Sequence, residues 1–581
     1  MSIPLKAYWD LLSRYIRPQR LRFTLLVILM LASIGLQVFN PQVMRSFIDS
    51  ALGGAAAREL MLTAAMFIGI ALLQQVLAVS VTYLGESVAW TATNALRGDL
   101  AWHCLNLDMG FHNSHTPGEL IERIDGDVTE LATFFSQFVV TMLGNLLLLV
   151  GILAAIFRED WRAGLAFFVF ALVAVLVLNR VRDIAVPHQK ARRQAEADLF
   201  GFVEEQLSAT EDVRSSGAVD FSLRELQRFQ THILRHDRSA HGKGLVVDAL
   251  MGGLLTIGNL MALGLGYLLF SGGAITIGAV YLLVHYINML EAPMWTLTHQ
   301  MRSFQTIGAC VERLTELRAQ KREVLDSGLA LPASGALGLA FEAVSFGYNG
   351  DGHVLKDLTF GLRPGKVLGL LGRTGSGKTT LTRLVFRLYD PSAGRILLDG
   401  ADLRQAGLKS LRSRVAIVTQ DVQLFRATVR DNLTFFDRRI SDERIRAVIA
   451  QLGLDDWLQG LPKGLDTLLD TGGHSLSAGE GQLLAFTRVF LRDPGLVILD
   501  EASSRLDPAT EQRIERAIDR LLRGRTAIVI AHRLGTVHRA DDILILEDGR
   551  VSEYGAREEL VHDPASHFSQ LLQTGLEEVL V

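Results

Sequence analysis

The residues with the clearest chemical potential form a glycine-rich octapeptide that runs from Gly372 to Thr379. Its sequence, Gly-Arg-Thr-Gly-Ser-Gly-Lys-Thr, fits the pattern GxxxxGK(S/T) and directly follows the apolar run 367–371. A strand, a glycine-rich loop and the start of a helix together surround a bound phosphate with backbone N–H groups. In such a loop the lysine, here Lys378, contacts the β- and γ-phosphates, and the Thr379 hydroxyl binds Mg²⁺. The octapeptide therefore predicts a nucleotide site, whose expected contacts are Gly372, Thr374, Gly375, Ser376, Gly377, Lys378, Thr379 and Thr380.

Two later apolar runs end in side chains that are suited to nucleotide hydrolysis. The run 496–499 is followed by Asp500 and Glu501. Asp500 is placed to hold Mg²⁺ through water, and Glu501 to polarise the attacking water as a general base. Acids at the end of a buried strand are costly unless they bind metal or take part in chemistry. The run 526–531 ends at His532, which is suited to contact the γ-phosphate, although a lone histidine there is more often a hydrogen-bonded core residue.

The apolar residues before position 300 are concentrated in long runs. The chain has 581 residues, of which 49% are hydrophobic. A helix that crosses a bilayer needs about 20 predominantly apolar residues. Six such helices, if they were buried in a soluble protein, could not all be covered by the polar part of this chain. The sequence therefore predicts six membrane-spanning helices, at about 23–43, 60–84, 134–157, 161–179, 245–270 and 275–295.

Basic residues indicate how these spans are oriented. They are concentrated in the N-terminal segment 1–22 and between the fourth and fifth spans, whereas the loops on the opposite side carry few. By the positive-inside rule, both termini are predicted to lie in the cytoplasm. The segment 1–22 is amphipathic and is predicted to form an interfacial helix. The two long cytoplasmic connections, of about 50 to 65 residues, are predicted to continue the helices as levers.

Charge and cysteine content narrow the possible partners. The formal net charge of −4 gives no argument for nucleic acid, and we predict no nucleic-acid partner. The only cysteines, Cys104 and Cys310, are too few and too far apart to suggest a disulfide framework or a zinc site.

Several polar residues within the predicted spans are candidates for a substrate path. His285 and Glu291 are ionisable, and an ionisable group in a span indicates either such a path or a position at the end of the span. The amides are explained at least as well by hydrogen bonds between helices. These amides are Gln74, Gln75, Asn145 and Asn259.

A further motif relates the second half of the chain to a known family. The segment 476–482, Leu-Ser-Ala-Gly-Glu-Gly-Gln, resembles the LSGGQ signature of ATP-binding cassette proteins. The region from about 336 to 575 resembles that family throughout, and the six-span half resembles its exporter type. The resemblance implies an α-helical membrane domain with long cytoplasmic extensions, followed by an α/β P-loop NTPase cassette. It also implies that the nucleotide is ATP, bound with Mg²⁺.

The resemblance assigns roles to further residues. Tyr348 matches the aromatic residue that stacks on adenine, and Gln420 matches the glutamine that touches Mg²⁺ and takes part in catalysis. Asp507 matches the D-loop aspartate, and His532 the switch histidine. Ser477 and Gly479 match the signature residues that hold the ATP of a partner chain. In the first half, the segment Phe111–Val128, which includes Asp127, resembles the first intracellular coupling region, and Gly308–Arg313 resembles the connection to the cassette.

The signature departs from the family pattern in a way that concerns the partner. Ala478 replaces its first glycine and Glu480 its glutamine. Because the signature serves the ATP of the other chain, and a chain with one cassette is half of a transporter, the resemblance implies a dimer. We favour a heterodimer over a homodimer, because the altered signature would then affect only the partner's site. If the Glu480 side chain faces the γ-phosphate, its charge should weaken that contact.

These expectations combine into one functional hypothesis. The chain is predicted to be half of an ATP-driven exporter that works by alternating access, surrounded by lipid in a bacterial cytoplasmic (inner) membrane. Its substrate is unidentified, and drugs, lipids, peptides and siderophores all stay open. The alternatives are a homodimeric exporter and an ATP-gated regulatory or channel protein. The predicted regions are an interfacial helix at 1–22, the membrane domain at 23–320, a linker at 321–335 and the cassette at 336–581.

Overall fold

The chain folds into two compact units. The computed structural model describes residues 13–136, 141–328, 330–332, 335–348, 352–419, 422–470, 476–500, 508–530 and 537–574. The membrane unit comprises Met1–Leu105 and Pro117–Gln320, and the cassette unit comprises Asn106–Thr116 and Lys321–Val581. The short segment Asn106–Thr116 therefore belongs to the cassette unit, although the chain on either side of it belongs to the membrane unit.

The membrane unit is helical. After a helical turn at 13–16 and a 3₁₀ turn at Arg17–Gln19, its main helices are α1 (Arg20–Leu52), α2 (Ala57–Leu105), α4 (Pro117–Ile121), α5 (Asp127–Ser136), α6 (Gly144–Glu159), α7 (Trp161–Ser208), α8 (Thr210–Ser215), α9 (Val219–Ser271), α10 (Ile277–Met289) and α11 (Glu291–Ala319). The intervening α3 (Met109–Ser114) lies in the cassette unit.

Within the part of the chain that the structure describes, four stretches of helix are long and apolar enough to cross a membrane. They are Ser13–Leu52, Ala57–Leu105, Pro117–Glu159 and Val219–Ser271. The predicted fourth span lies in α7, whose described apolar part is the shorter Trp161–Val177. The predicted sixth span is divided between α10 and α11, because the α-helix is interrupted by a turn at Leu290.

Two helices continue well past their apolar parts, as the long polar connections predict. Helix α7 has 48 residues and α9 has 53. At 1.5 Å per residue, each is about 70–80 Å long, which is more than twice the thickness of a bilayer core. The Asp160 carboxylate caps the start of α7 by accepting from the Arg162 and Ala163 N–H groups at 2.7 and 3.4 Å. These two helices pack against each other along the membrane unit.

An ion pair between a buried carboxylate and an exposed guanidinium joins two segments that the sequence marks separately. Asp127, at the start of α5, is 2% exposed, and its carboxylate accepts two hydrogen bonds from the Arg313 guanidinium of α11, one of them 2.8 Å long. The neighbouring Cys310 is also buried, and its burial together with the nearby Asp127 carboxylate raises the pKa of its thiol to about 12. The coupling region is therefore fastened to the last helix of the membrane unit, and Cys310 is an unreactive thiol at neutral pH.

The cassette unit is built on two sheets. The four-stranded sheet is antiparallel, with strand order β2-β1-β4-β5, and the six-stranded sheet has the order β10-β9-β3-β8-β7-β6. Five strands of the larger sheet are parallel, and β10 pairs antiparallel at its edge. The strands are β1 (Leu339–Phe346), β2 (Leu355–Leu362), β3 (Val367–Leu371), β4 (Ala393–Leu398), β5 (Ala401–Asp402), β6 (Val415–Val418), β7 (Leu496–Asp500), β8 (Thr526–Ile530), β9 (Asp542–Glu547) and β10 (Arg550–Ala556).

Helices cover both faces of the larger sheet. They are α12 (Lys378–Val385), α13 (Leu408–Arg414), α14 (Val429–Thr434), α15 (Asp442–Leu452), α16 (Asp455–Gly460), α17 (Ala478–Arg492), α18 (Pro508–Leu522), α19 (Arg557–His562) and α20 (His567–Thr574).

Alternate residues of each parallel strand enter different cores. Leu496 and Ile498 of β7 pack with the smaller sheet and α12, whereas Val497 and Leu499 pack with α14 to α18. A strand that is buried on both faces must be apolar at every position, which accounts for the unbroken apolar runs in the sequence.

Candidate functional site

The glycine-rich loop connects β3 to α12, as its sequence predicts. Every residue of β3 is buried, and Lys378 is the first residue of α12. Gly372 has φ 146°, and a Cβ there would lie 2.3 Å from the Leu546 carbonyl oxygen. Gly377 has φ 106°, and a Cβ there would lie 2.5 Å from Leu355 Cδ2. Only glycine fits these two positions, so the loop conformation depends on both.

Polar groups of the loop converge on the space where a phosphate would bind. Lys378 is 8% exposed, and its ammonium donates to the Gly372 and Arg373 carbonyl oxygens at 2.5 and 3.0 Å. The Ser376 hydroxyl is buried and has no hydrogen-bond partner among the described residues. A buried cation beside an unsatisfied hydroxyl, at the N-terminus of a helix, fits the phosphates of a nucleotide.

The side chain of Tyr348 lies against the helix that follows the loop. Its hydroxyl is 3.1 Å from Thr380 Oγ1 and accepts from the Arg383 guanidinium at 3.2 Å. Its ring makes an edge contact with Tyr389, 5.3 Å between centroids. The Tyr389 hydroxyl in turn accepts from Asn113 Nδ2 at 2.8 Å. Tyr348 is thus held beside the loop, and through Tyr389 it is connected to the segment Asn106–Thr116.

Asn113 and Tyr389 were not predicted from the sequence as residues near the site. The two residues are separated by 276 positions, and no local pattern marks either of them. The one usable signal was the resemblance of the segment from Phe111 onward to a coupling region.

The hydrolytic candidates follow strands that end at the same edge of the sheet. In the parallel sheet, β8 lies between β3 and β7, and β6 lies beyond β7. Asp500, the last residue of β7, is partly exposed and is two strand spacings, about 10 Å, from the end of β3. Thr379, the second residue of α12, is exposed at the same edge. These two side chains are brought to the same part of the cassette, where an oxygen-ligated cation could bind.

Four of the predicted site residues lie outside the described residues: Gln420, Glu501, Asp507 and His532. Three of them come within two residues of the end of a described strand. Glu501 comes after β7, Gln420 two residues after β6 and His532 two residues after β8.

The signature begins helix α17, where Ser477 is the N-cap. The Ser477 hydroxyl donates to the Glu480 carboxylate at 2.8 Å, and the Ser477 N–H donates to the same oxygen at 2.7 Å. The Glu480 N–H donates back to Ser477 Oγ at 3.3 Å, which completes a capping box. The carboxylate of Glu480 is therefore directed at the signature serine.

The loop and the signature belong to different cores of the cassette unit. Helix α12 contributes Leu381 and Leu384 to the core under the smaller sheet. Helix α17 contributes Leu483 and Phe486 to the core formed with α14, α15 and α18. In the described residues, no hydrogen bond or ring contact joins Ser477 to the glycine-rich loop.

Two family models match the chain. Residues 23–294 match the model described as ABC transporter transmembrane region, and residues 355–504 match the model described as ABC transporter. The first match covers most of the membrane unit, and the second begins at β2 and includes the loop, the signature and Asp500.

Known proteins resemble the chain over most of its length. YheH of Bacillus subtilis, a probable multidrug resistance ABC transporter ATP-binding/permease protein, is 30% identical over 82% of this chain and 72% of its own. An ATP-dependent lipid A-core flippase of Idiomarina loihiensis is 29% identical over 95% of both chains.

A solved structure of a bacterial Atm1-family ABC exporter with ATP bound has the same fold. It matches with a TM-score of 0.79 and 24% identity, over 96% of this chain and 99% of that one. Together with the glycine-rich loop, the sheet edge and the signature, these similarities show that the chain belongs to the ATP-binding cassette transporter family, as an exporter-type ATPase that is coupled to transport through a fused transmembrane region.

Proposed function

We propose that the protein is one half of a dimeric exporter, in which two chains bind two ATP molecules between their cassettes. The observation that carries this proposal is the separation of the glycine-rich loop and the signature into different cores of one cassette. Each chain then offers half of a site, which a second cassette completes.

In this proposal each side chain has a defined task. Lys378, Ser376 and the loop N–H groups hold the phosphates, and the Tyr348 ring lies against adenine. Thr379, Gln420 and Asp500 would hold Mg²⁺, which would neutralise negative charge on the phosphate oxygens. Glu501 accepts a proton from the attacking water, His532 contacts the γ-phosphate, and Asp507 takes part in the contact between the cassettes.

ATP binding would close the cassettes and turn the membrane cavity outward, and hydrolysis would reset it. The long helices α7 and α9 support this mechanism, because stiff helices transmit a displacement over their whole length. The cytoplasmic position of the termini and a bacterial inner membrane as the location are part of the same proposal. The distribution of basic residues and the bacterial relatives support it.

We infer further that the partner is a different half-transporter. The support is the Ala478 and Glu480 pair in the signature, which would impair only the partner's site in a heterodimer. Purification from the native source, followed by mass spectrometry of the intact complex, tests this inference. A second half-transporter with a standard signature and a replaced catalytic carboxylate or switch histidine is the expected result. A complex of this chain alone, with full ATPase activity and ATP-driven transport in proteoliposomes, would establish the homodimeric alternative.

Replacing Glu480 with glutamine should increase the apparent ATP affinity of the site that this signature serves by about two- to fivefold. Glutamine keeps the capping box with Ser477 but removes a negative charge from the helix end that faces the phosphates in this proposal. One charge at a helix end changes the interaction free energy there by about 0.3–1 kcal/mol, and we expect an effect of this size on ATP binding. The measurement is the ATP concentration for half-maximal hydrolysis by the complete complex.

A matched control for this experiment is Glu443→Gln. Glu443 is an exposed acid in the first turn of α15, behind the N-cap Ser441, and it has no part in the proposed site. The control should leave ATP affinity unchanged. Equal ATP affinity in Glu480→Gln and wild type would show that the Glu480 charge does not act on the nucleotide.

A further inference from the structure

The membrane unit contains a cavity of about 610 Å³. It lies between α1, α2, α6 and the junction of α10 with α11. Its walls combine apolar side chains, among them the buried Met30, Val81 and Leu148, with polar ones such as Gln37 and Asn288. A volume of this size lies within the range of small-molecule binding sites, about 300–1,000 Å³.

One charged side chain lines this cavity. Glu291, the first residue of α11, is the only Asp, Glu, Lys or Arg among the lining residues that the structure describes. The sequence extends this observation to the surrounding spans. The four stretches 23–43, 60–84, 134–157 and 275–295 contain no lysine or arginine, and Glu291 is their only acid.

The polar amides near Glu291 are already engaged in hydrogen bonds between helices. Asn145 Nδ2 donates to Thr296 Oγ1 at 2.8 Å, and Asn259 Nδ2 donates to Asn288 Oδ1 at 2.9 Å. These bonds support the interhelical interpretation of Asn145 and Asn259. In contrast, the Glu291 side chain is exposed and forms no hydrogen bond or ion pair with the described residues.

The ionised form of a carboxylate in this environment is stabilised by a compensating positive charge. An ionised group within a membrane span is costly unless it is paired, and the chain provides no lysine or arginine in the four spans that line the cavity. The described lining residues also include no aromatic ring, so recognition of a cation would depend on the carboxylate and not on cation–π contacts. The two methionines of the lining, Met30 and Met289, are flexible and can adapt to apolar groups of different shapes.

We propose that this cavity binds an amphiphilic cation, whose positive charge pairs with Glu291 and whose apolar groups contact the walls formed by α1, α2 and α6. This inference rests on the proposed export function, because it names the class of substrate that the exporter would carry. An anionic amphiphile would instead be repelled by the same carboxylate.

The test compares two ions of the same shape and opposite charge. The ions are tetraphenylphosphonium and tetraphenylborate. Their binding to the purified full-length complex is measured by titration calorimetry in detergent without nucleotide. The measured heats are corrected for partition of the ions into micelles. The variants are Glu291→Gln, which removes the charge, and Glu291→Asp, which keeps it. The matched control is Glu59→Gln, since Glu59 is an exposed acid in the first turn of α2 outside the cavity lining.

We expect Glu291→Gln to weaken binding of the cation about tenfold, while binding of the borate is unchanged or stronger. Borate binding by Glu291→Gln, from which the repelling charge has been removed, also shows that the variant is folded. Glu291→Asp should keep most of the cation affinity, and Glu59→Gln should bind both ions as the wild type does. Unchanged cation affinity in Glu291→Gln, or equal weakening for both ions, would overturn the inference.

ATP hydrolysis, measured on the same preparations, separates this inference from the proposed function. A wild-type complex that hydrolyses ATP but does not distinguish the two ions would contradict the cavity assignment alone. A complex that binds the cation through Glu291 but hydrolyses no ATP would support the cavity assignment and contradict the proposed exporter.

Discussion

Replacing Glu501 with glutamine is expected to abolish multiple-turnover ATP hydrolysis while ATP binding is retained. Glutamine has nearly the same shape as glutamate but cannot accept a proton from the attacking water, and the loss of a positioned general base typically costs about 10²–10⁴ in rate. The described strand β7 supports this role, because it ends at Asp500 on the same sheet edge as the glycine-rich loop. The variant should therefore accumulate an ATP-bound, closed state.

Two measurements on the purified complex check this expectation: steady-state phosphate release and the amount of nucleotide occluded per complex. Glu547→Gln is a suitable control, because Glu547 also ends a parallel strand of this sheet, β9. Its side chain is exposed, and its Oε1 lies 3.4 Å from His567 Nδ1. The control should hydrolyse ATP normally. Near-normal turnover by Glu501→Gln would remove Glu501 from the catalytic role.

Replacing Lys378 with alanine should instead weaken ATP binding, by about ten- to a hundredfold, because hydrogen bonds to charged groups contribute about 1.5–3 kcal/mol. The ammonium is held over the loop by the Gly372 and Arg373 carbonyl oxygens, so it is already positioned for the phosphates before ATP arrives. It contacts phosphate in the ground state as well as in the transition state, and its loss therefore affects binding and not only turnover.

Equilibrium binding of a fluorescent ATP analogue to the nucleotide-free complex measures this effect. The matched control is Lys366→Ala, at the opposite end of β3, where the lysine forms an exposed ion pair with Asp541 at 2.9 Å. The control should bind ATP as the wild type does. Unchanged affinity in Lys378→Ala would show that the glycine-rich loop is not the nucleotide site. The two variants are therefore expected to differ in ATP binding, because Glu501→Gln should retain it and Lys378→Ala should weaken it.

The amino-acid sequence by itself determined the local parts of this protein. The glycine-rich octapeptide, the strand that ends at Asp500 and the long apolar helices are each defined by residues close together in the chain. Among the described residues, the structure contains the loop, the strand and four of the six predicted long apolar helices at the predicted places. Periodicity and turn chemistry act over a few residues, so they can be detected without knowledge of the tertiary fold. The signature and the strand that ends at Asp500 are also close together in the chain, so their order could be recognised as that of a cassette ATPase.

Only the tertiary structure decided which distant residues meet. It assigned Asn106–Thr116 to the cassette unit, where Asn113 contacts Tyr389, and it paired Asp127 with Arg313. It also left Glu291 as the only charged side chain among the described residues that line the membrane cavity. Each of these contacts depends on side-chain direction or on the packing of elements that are far apart in sequence, and no pattern of neighbouring residues encodes either property.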